Sequence, residues 1–143
     1  MTVRGILAAK GRDVVTISPE RTLAEAARIL NEHRLGALVV TGESGAVIGM
    51  VSERDIVRSI AERGAAALAE PVSGCMTREV VTTVESATIQ TVMIEMTDGR
   101  FRHLPVVEHG QLVGIISIGD VVKRRVAEME EEHQALREYI ATA

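Results

Sequence analysis

The feature that most constrains this chain is that it is written twice. Shifted by 66 positions, "VVT" at Val14–Thr16 falls on "VVT" at Val80–Thr82, Thr22 on Thr88, Arg34 on Arg100, Leu38 on Leu104 and Val40 on Val106. One residue is then lost in a turn. At a shift of 65, Gly45 meets Gly110, Gly49 meets Gly114, Ser52 meets Ser117, Asp55 meets Asp120 and Val57 meets Val122. A duplication of this kind asks for two similar units that pack on each other.

Each copy carries the same order of local signals. After "VVT", apolar residues recur at the i, i+3, i+4, i+7 spacing of a one-faced helix. They are Leu23, Ala26, Ala27 and Leu30 in the first copy, and Ile89, Val92, Met93 and Met96 in the second. Thr22 and Glu25 make a capping box that starts the first helix near Leu23. Thr88 keeps the cap, with Thr91 where the box wants a glutamate. Two short apolar runs follow, "ALVV" and "VIGMV" around the turn "GESG", then "LPVV" and "LVGII" around "EHG". Both pairs read as buried hairpins. A second helix begins at Ser52 and again at Ser117. Each unit is thus a strand, a helix, a hairpin and a helix, about 55 residues long and too small to bury its faces alone.

The expected organisation is an N-terminal segment (1–13), a first motif (14–68), a linker (69–79), a second motif (80–127) and a C-terminal helical tail (128–143). The linker lies in a stretch punctuated by Gly64, Pro71 and Gly74. Along the last helix, Val122, Val126, Met129, His133, Leu136 and Ile140 alternate between spacings of four and three, the stripe of a coiled coil. That stripe either docks on its own domain or pairs with a helix of a second chain, with His133 the weak point of the seam.

Composition excludes several classes of function. Apolar residues make up 46% and charged residues 25%, a folded rather than a disordered balance. One Tyr, one Phe and no Trp leave little aromatic surface on which to stack bases, and the net charge of −4 repels a polyanion. "KRR" at Lys123–Arg125 is the one basic cluster, and "EMEEE" follows it closely, which suits a solvated helix face. A nucleic-acid partner is therefore not expected. The single Cys75 has no internal disulfide partner, which fits a reducing compartment; an inert buried thiol suits it better than a redox sensor. Neither a signal peptide nor a membrane span is visible, so no membrane partner is expected and a cytoplasmic location is the default. His33, His109 and His133 show no ligand spacing for a metal. No P-loop and no nucleophile with a base beside it suggest an enzyme.

The repeated "GMVSERD" (Gly49–Asp55) and "GIISIGD" (Gly114–Asp120) carry the candidate chemistry. Capping alone accounts for a Ser and an Asp at this spacing: Ser at the N-cap, and a carboxylate in the first turn. A ligand is also compatible. Gly49 and Gly114 sit inside apolar strands, where something has to come close. A helix N-terminus offers amides to a phosphate, and a carboxylate there can accept both hydroxyls of a ribose.

Two βαββα copies closing on this motif resemble a tandem pair of cystathionine β-synthase (CBS) domains, a Bateman module. "GALVVTGESGAVIGMVSERDIVRSI" and "RHLPVVEHGQLVGIISIGDVVK" carry the likeness, which covers roughly residues 6–126. It implies a mixed α/β (α+β) fold with the two motifs in a pseudo-two-fold arrangement. It also implies a regulatory role without catalysis, in a stand-alone CBS pair that forms a homodimer and signals to a downstream protein yet to be named. The ligands it implies contain adenosine: AMP, ADP, ATP, NAD or S-adenosylmethionine, bound as regulatory ligands, with no cofactor required.

Carried over residue by residue, the resemblance implies two clefts between the motifs. The first pairs Ser52 and Asp55 with Met76 and Val81 at the adenine and with Arg102 and His103 near the phosphates. Arg54 is an added phosphate contact there. The second pairs Ser117 and Asp120 with Val15, Gly36 and Ala37. Gly36-Ala37 replaces the basic pair, leaving less positive charge for a phosphate chain, so this cleft is expected to be weaker, empty, or suited to a different part of a ligand. The alternative is an interaction module whose clefts stay empty.

Overall fold

The computed structural model describes residues 1–142. It opens on helix α1 (Val3–Lys10), which leads into the short strand β1 (Thr16–Ile17) and helix α2 (Leu23–His33). The hairpin β2 (Ala37–Thr41) and β3 (Val47–Ser52) runs into α3 (Glu53–Arg63). Two 3-10 turns, Gly64–Ala69 and Val72–Gly74, carry the chain to the second copy. There α4 (Ile89–Gly99), the hairpin β4 (His103–Glu108) and β5 (Gln111–Ser117), and α5 (Ile118–Thr142) repeat the order. In the first sheet β1 lies parallel to β2, pairing Ile17 with Val40, and β2 is antiparallel to β3.

The helices start where the caps place them. Thr22 Oγ1 accepts the Glu25 amide at 3.2 Å and Thr88 Oγ1 accepts the Thr91 amide at 3.1 Å. Both helices end on an arginine in the left-handed region, Arg34 (φ 55°) and Arg100 (φ 56°), so the duplication extends to the backbone turn that leads into each hairpin. In the second hairpin His109 (φ 52°) and Gly110 (φ 76°) both take positive φ, the two-residue turn that matches strand twist.

One expected strand is reduced. "VVT" at 80–82 forms no strand; Thr83 alone bridges to Val106, where its counterpart Ile17 sits inside β1. Toward residues 80–82 the ladder stops at Pro105, the counterpart of Val39, which has no N–H to give the Val81 carbonyl, and beyond Thr83 the next groups bond elsewhere. The Glu85 amide donates to the Glu108 carboxylate at 2.7 Å, and the Glu85 carbonyl accepts from the Arg4 amide.

The core is two clusters, and each takes in a segment from outside its own motif. Leu23, Leu30, Leu38, Val40, Val51 and Ile56 of the first motif pack with Val72 and Met76 of the linker. Ile89, Val92, Leu104, Val106 and Ile116 of the second pack with Val3, Ile6 and Leu7 of α1. Backbone bonds fix both crossings, Val72 N to Arg21 O at 2.7 Å on one side and Val3 N to Ala87 O at 2.9 Å on the other. The two motifs are thereby interlocked through the segments that precede them. Among the described residues no helix is long and apolar enough to cross a membrane.

Candidate functional site

Ser52 and Asp55 form a complete capping box on α3. The Asp55 amide donates to Ser52 Oγ at 3.3 Å, and Asp55 Oδ2 accepts the Ser52 amide at 2.8 Å and its hydroxyl at 3.0 Å. The second copy repeats the exchange between Ser117 and Asp120, at 2.9 and 3.2 Å. The capping account is therefore present in full at both positions.

Asp55 is nevertheless more than a cap. It is only 7% exposed, and its remaining oxygen, Oδ1, is held by Arg58 Nη2 at 2.5 Å. It lines a cleft of about 390 Å³, within the range of small-molecule sites. Around that cleft the fold gathers Ser52, the cap of α3, with Arg54 and Asp55 from its first turn, Val81 from the start of the second motif, and Arg102 and His103 from the entry to β4. These come from both halves of the chain.

Other residues stand differently. Gly36 and Ala37, expected at the second cleft, line this one. The reason is local: Ala37 is the strand partner of Ser52, and the Glu53 amide donates to the Gly36 carbonyl, so the start of β2 must stand beside the Ser-Asp motif of its own copy. Gly36 also faces the His103 ring, which lies 3.3 Å from where a Cβ would be. Met76 does not line the cleft. It is buried beneath β3, with its sulfur 2.5 Å from where a Gly49 Cβ would sit. Val15 packs beside the first core cluster. The bare Gly49 and Gly114 thus make room for the protein's own Met76 and Leu7.

Sequence reasoning missed Arg100, Phe101 and Glu79, which line the cleft, and the Arg58 grip on Asp55. Repetition of Arg34 as Arg100 was the available signal for the first; Glu79 and Arg58 carried none. Arg54, Arg100 and Arg102 have no ion-pair partner among the described residues, so three guanidinium groups are free to meet an anion. Burial lowers the His103 pKa; Lys10 and Arg102 lower it further, against the opposing pull of Asp120 and Glu53. The imidazole is thus neutral at neutral pH. At Val81 the side chain is 47% exposed, and its backbone amide and carbonyl have no partner among the described residues.

Cys75 is half-buried, and burial raises its pKa despite an opposing hydrogen bond from Ser59, so its thiol stays protonated. A larger depression of about 660 Å³ lies between α4 and α5, lined by Met93, Ile94, Arg125 and Glu128. It contains neither Ser-Asp motif and draws nothing from the first repeat, so we place the site in the smaller cleft.

The chain is thus a tandem pair of α/β units with one cleft drawing on both halves. Residues 6–62 and 72–127 each match the CBS domain, and the chain belongs to the CBS domain family. The CBS-domain containing protein ATU1752 from Agrobacterium tumefaciens is 50% identical and superimposes with a TM-score of 0.85 over 87% of this chain and 99% of its own. The CBS domain pair of protein MJ0100, solved with 5-methylthioadenosine and S-adenosyl-L-methionine, is 26% identical, with a TM-score of 0.80 over 90% and 98% of the two chains. The CBS domain protein PAE2072 from Pyrobaculum aerophilum, solved with AMP, is 28% identical, with a TM-score of 0.75 over 84% and 89%.

Proposed function

We propose that this protein is a regulatory module that binds an adenosine-containing ligand in the cleft between its two CBS motifs. The observation that carries the reading is a nearly buried carboxylate, Asp55, on the wall of a cleft that also holds three unpaired arginines. In this reading the Asp55 carboxylate accepts the ribose hydroxyls once Arg58 swings aside. Arg58 is 55% exposed on its side chain, so releasing it costs little. The unpartnered Val81 backbone meets the adenine edge, and Arg102, His103 and Arg54 face the phosphate. AMP and S-adenosyl-L-methionine, bound by related pairs, share only the adenosyl part, which is the part Asp55 and Val81 would hold. Ligand binding orders the seam between the motifs and so changes what surface the module offers a partner.

Titration of AMP into the protein by calorimetry tests this. Binding is expected, and it should strengthen as pH falls from about 8 to about 6. The sign follows from His103: it is neutral when the cleft is empty, a phosphate raises its pKa, and binding therefore takes up a proton. His103→Gln should remove the strengthening toward low pH and leave only the dependence that the AMP phosphate's own titration near about pH 6 supplies. Affinity that does not change with pH in the wild type would remove His103 from the phosphate site.

We further propose that the chain forms a homodimer through α5. Val122, Val126, Met129, His133, Leu136 and Ile140 are all exposed, so docking on its own domain does not account for the stripe. A helix of a second copy does. Light scattering is expected to give the mass of a dimer for the wild type and of a monomer for Leu136→Glu/Ile140→Glu. A monomeric wild type at tens of micromolar would refute the pairing.

A further inference from the structure

Beyond residue 128, helix α5 leaves its own domain. Every described residue from 129 to 142 is exposed. Met129, Leu136 and Ile140 continue the apolar stripe there, at 54%, 56% and 66% exposure. A helical segment of this length is marginal alone in water and needs a surface to pack on. The alternating spacings of four and three assign the heptad positions in one way only. Val126, His133 and Ile140 are a positions; Val122, Met129 and Leu136 are d positions. The flanking e positions are then Lys123, Glu130 and Arg137, and the g positions Arg125, Glu132 and Tyr139.

Those flanks distinguish the two directions in which a second copy of α5 can pair. In a parallel pair each g residue meets the e residue five positions further on in the partner. Arg125 then meets the partner's Glu130, and Glu132 meets the partner's Arg137, opposite charges at both levels and on both sides of the seam. An antiparallel pair sets g beside g. With the stripes fully overlapped, Glu132 then faces the partner's Glu132, like charge on like. The charges are available for this. Glu130 and Arg137 make no ion pair among the described residues. Arg125 approaches Glu128 and Glu132 of its own helix only at 3.4 and 3.7 Å, both through Nη1.

The polar a position favours the same direction. In the parallel register His133 meets the partner's His133, and one imidazole can donate to the other. Antiparallel overlap sets it against the partner's Met129, which offers only a weak sulfur acceptor. A single polar residue in an otherwise apolar seam selects the register in which it finds a polar partner. We infer that two copies of α5 pair in parallel and in register from Val122 to Ile140, which places both CBS pairs at the same end of one two-helix stalk. This rests on the α5 homodimer reading above and adds its direction.

Cross-linking tests the direction, in a Cys75→Ser background that leaves no native thiol. Leu136→Cys and Val126→Cys are oxidised singly and as an equimolar mixture, with folding checked by circular dichroism and links mapped by mass spectrometry. Parallel pairing is expected to join 136 to 136 and 126 to 126. The mixture should give no 126–136 link, because those positions stand about 15 Å apart along the pair, beyond the reach of a disulfide. A 126–136 link overturns the inference and leaves an antiparallel α5 homodimer standing. A monomeric wild type, or a dimeric one in which neither position links, overturns both readings. By sedimentation, Arg137→Glu is expected to weaken the dimer roughly 3-fold to 30-fold, and Glu132→Arg/Arg137→Glu to restore it. An Arg137→Glu dimer as tight as the wild type also overturns the inference.

Discussion

Asp55→Ala is expected to lower the affinity for AMP by about 10-fold to 150-fold, because a charge-assisted hydrogen bond contributes roughly 1.5–3 kcal/mol. The same substitution removes half of the capping box on α3, which costs about 0.5–2 kcal/mol of stability. Asp55→Asn separates the two effects. Its amide oxygen can still accept the Ser52 amide, so the melting temperature should stay near that of the wild type while the affinity falls. Titration calorimetry and thermal unfolding on both variants give the answer. Equal affinity in all three proteins would reduce Ser52 and Asp55 to a helix start, and the interaction module with empty clefts would then be the better account.

The second large effect is on the fold. Leu104 is fully buried in the second core cluster, beside Leu7 and Ile116, and Leu104→Ala should cost about 2–5 kcal/mol. Because α1 packs into the second motif and the linker into the first, loss of either cluster should loosen both. Urea unfolding is expected to remain one cooperative transition, shifted to lower denaturant, and AMP affinity should fall with it since His103 begins the same strand as Leu104 and Arg102 directly precedes it. Two separate transitions, with the first motif surviving alone, would contradict the interlocked core.

Much of this was legible because it is local and repeated. The caps at Thr22 and Thr88, the hairpins around "GESG" and "EHG", and the helix starts at Ser52 and Ser117 each leave a mark within a few residues, twice. The family resemblance supplied the pairing of Ser52 and Asp55 with Arg102 and His103, and these four residues line one cleft of the fold. The missed features are those whose cause lies far away in the chain. Lys10 reaches Asp120 across 110 positions, and nothing near either residue signals it. Gly49 and Gly114 correctly indicated close approach, yet the approaching groups are Met76 and Leu7, since a glycine records a space without recording its occupant. Gly36 and Ala37 also line the first cleft, which the strand register of Ala37 opposite Ser52 dictates and the family analogy did not suggest. The strand expected at 80–82 failed because its partner position holds Pro105, the counterpart of Val39, which has no N–H to give the ladder.

The most direct measurement is a crystal structure of the protein soaked with AMP. The ribose is expected on Asp55 with Arg58 turned away, the adenine against Val81, and the phosphate toward Arg102 and His103. Density for AMP in the groove between α4 and α5, or an Asp55 still closed by Arg58 with the cleft unfilled at saturating nucleotide, would contradict the account.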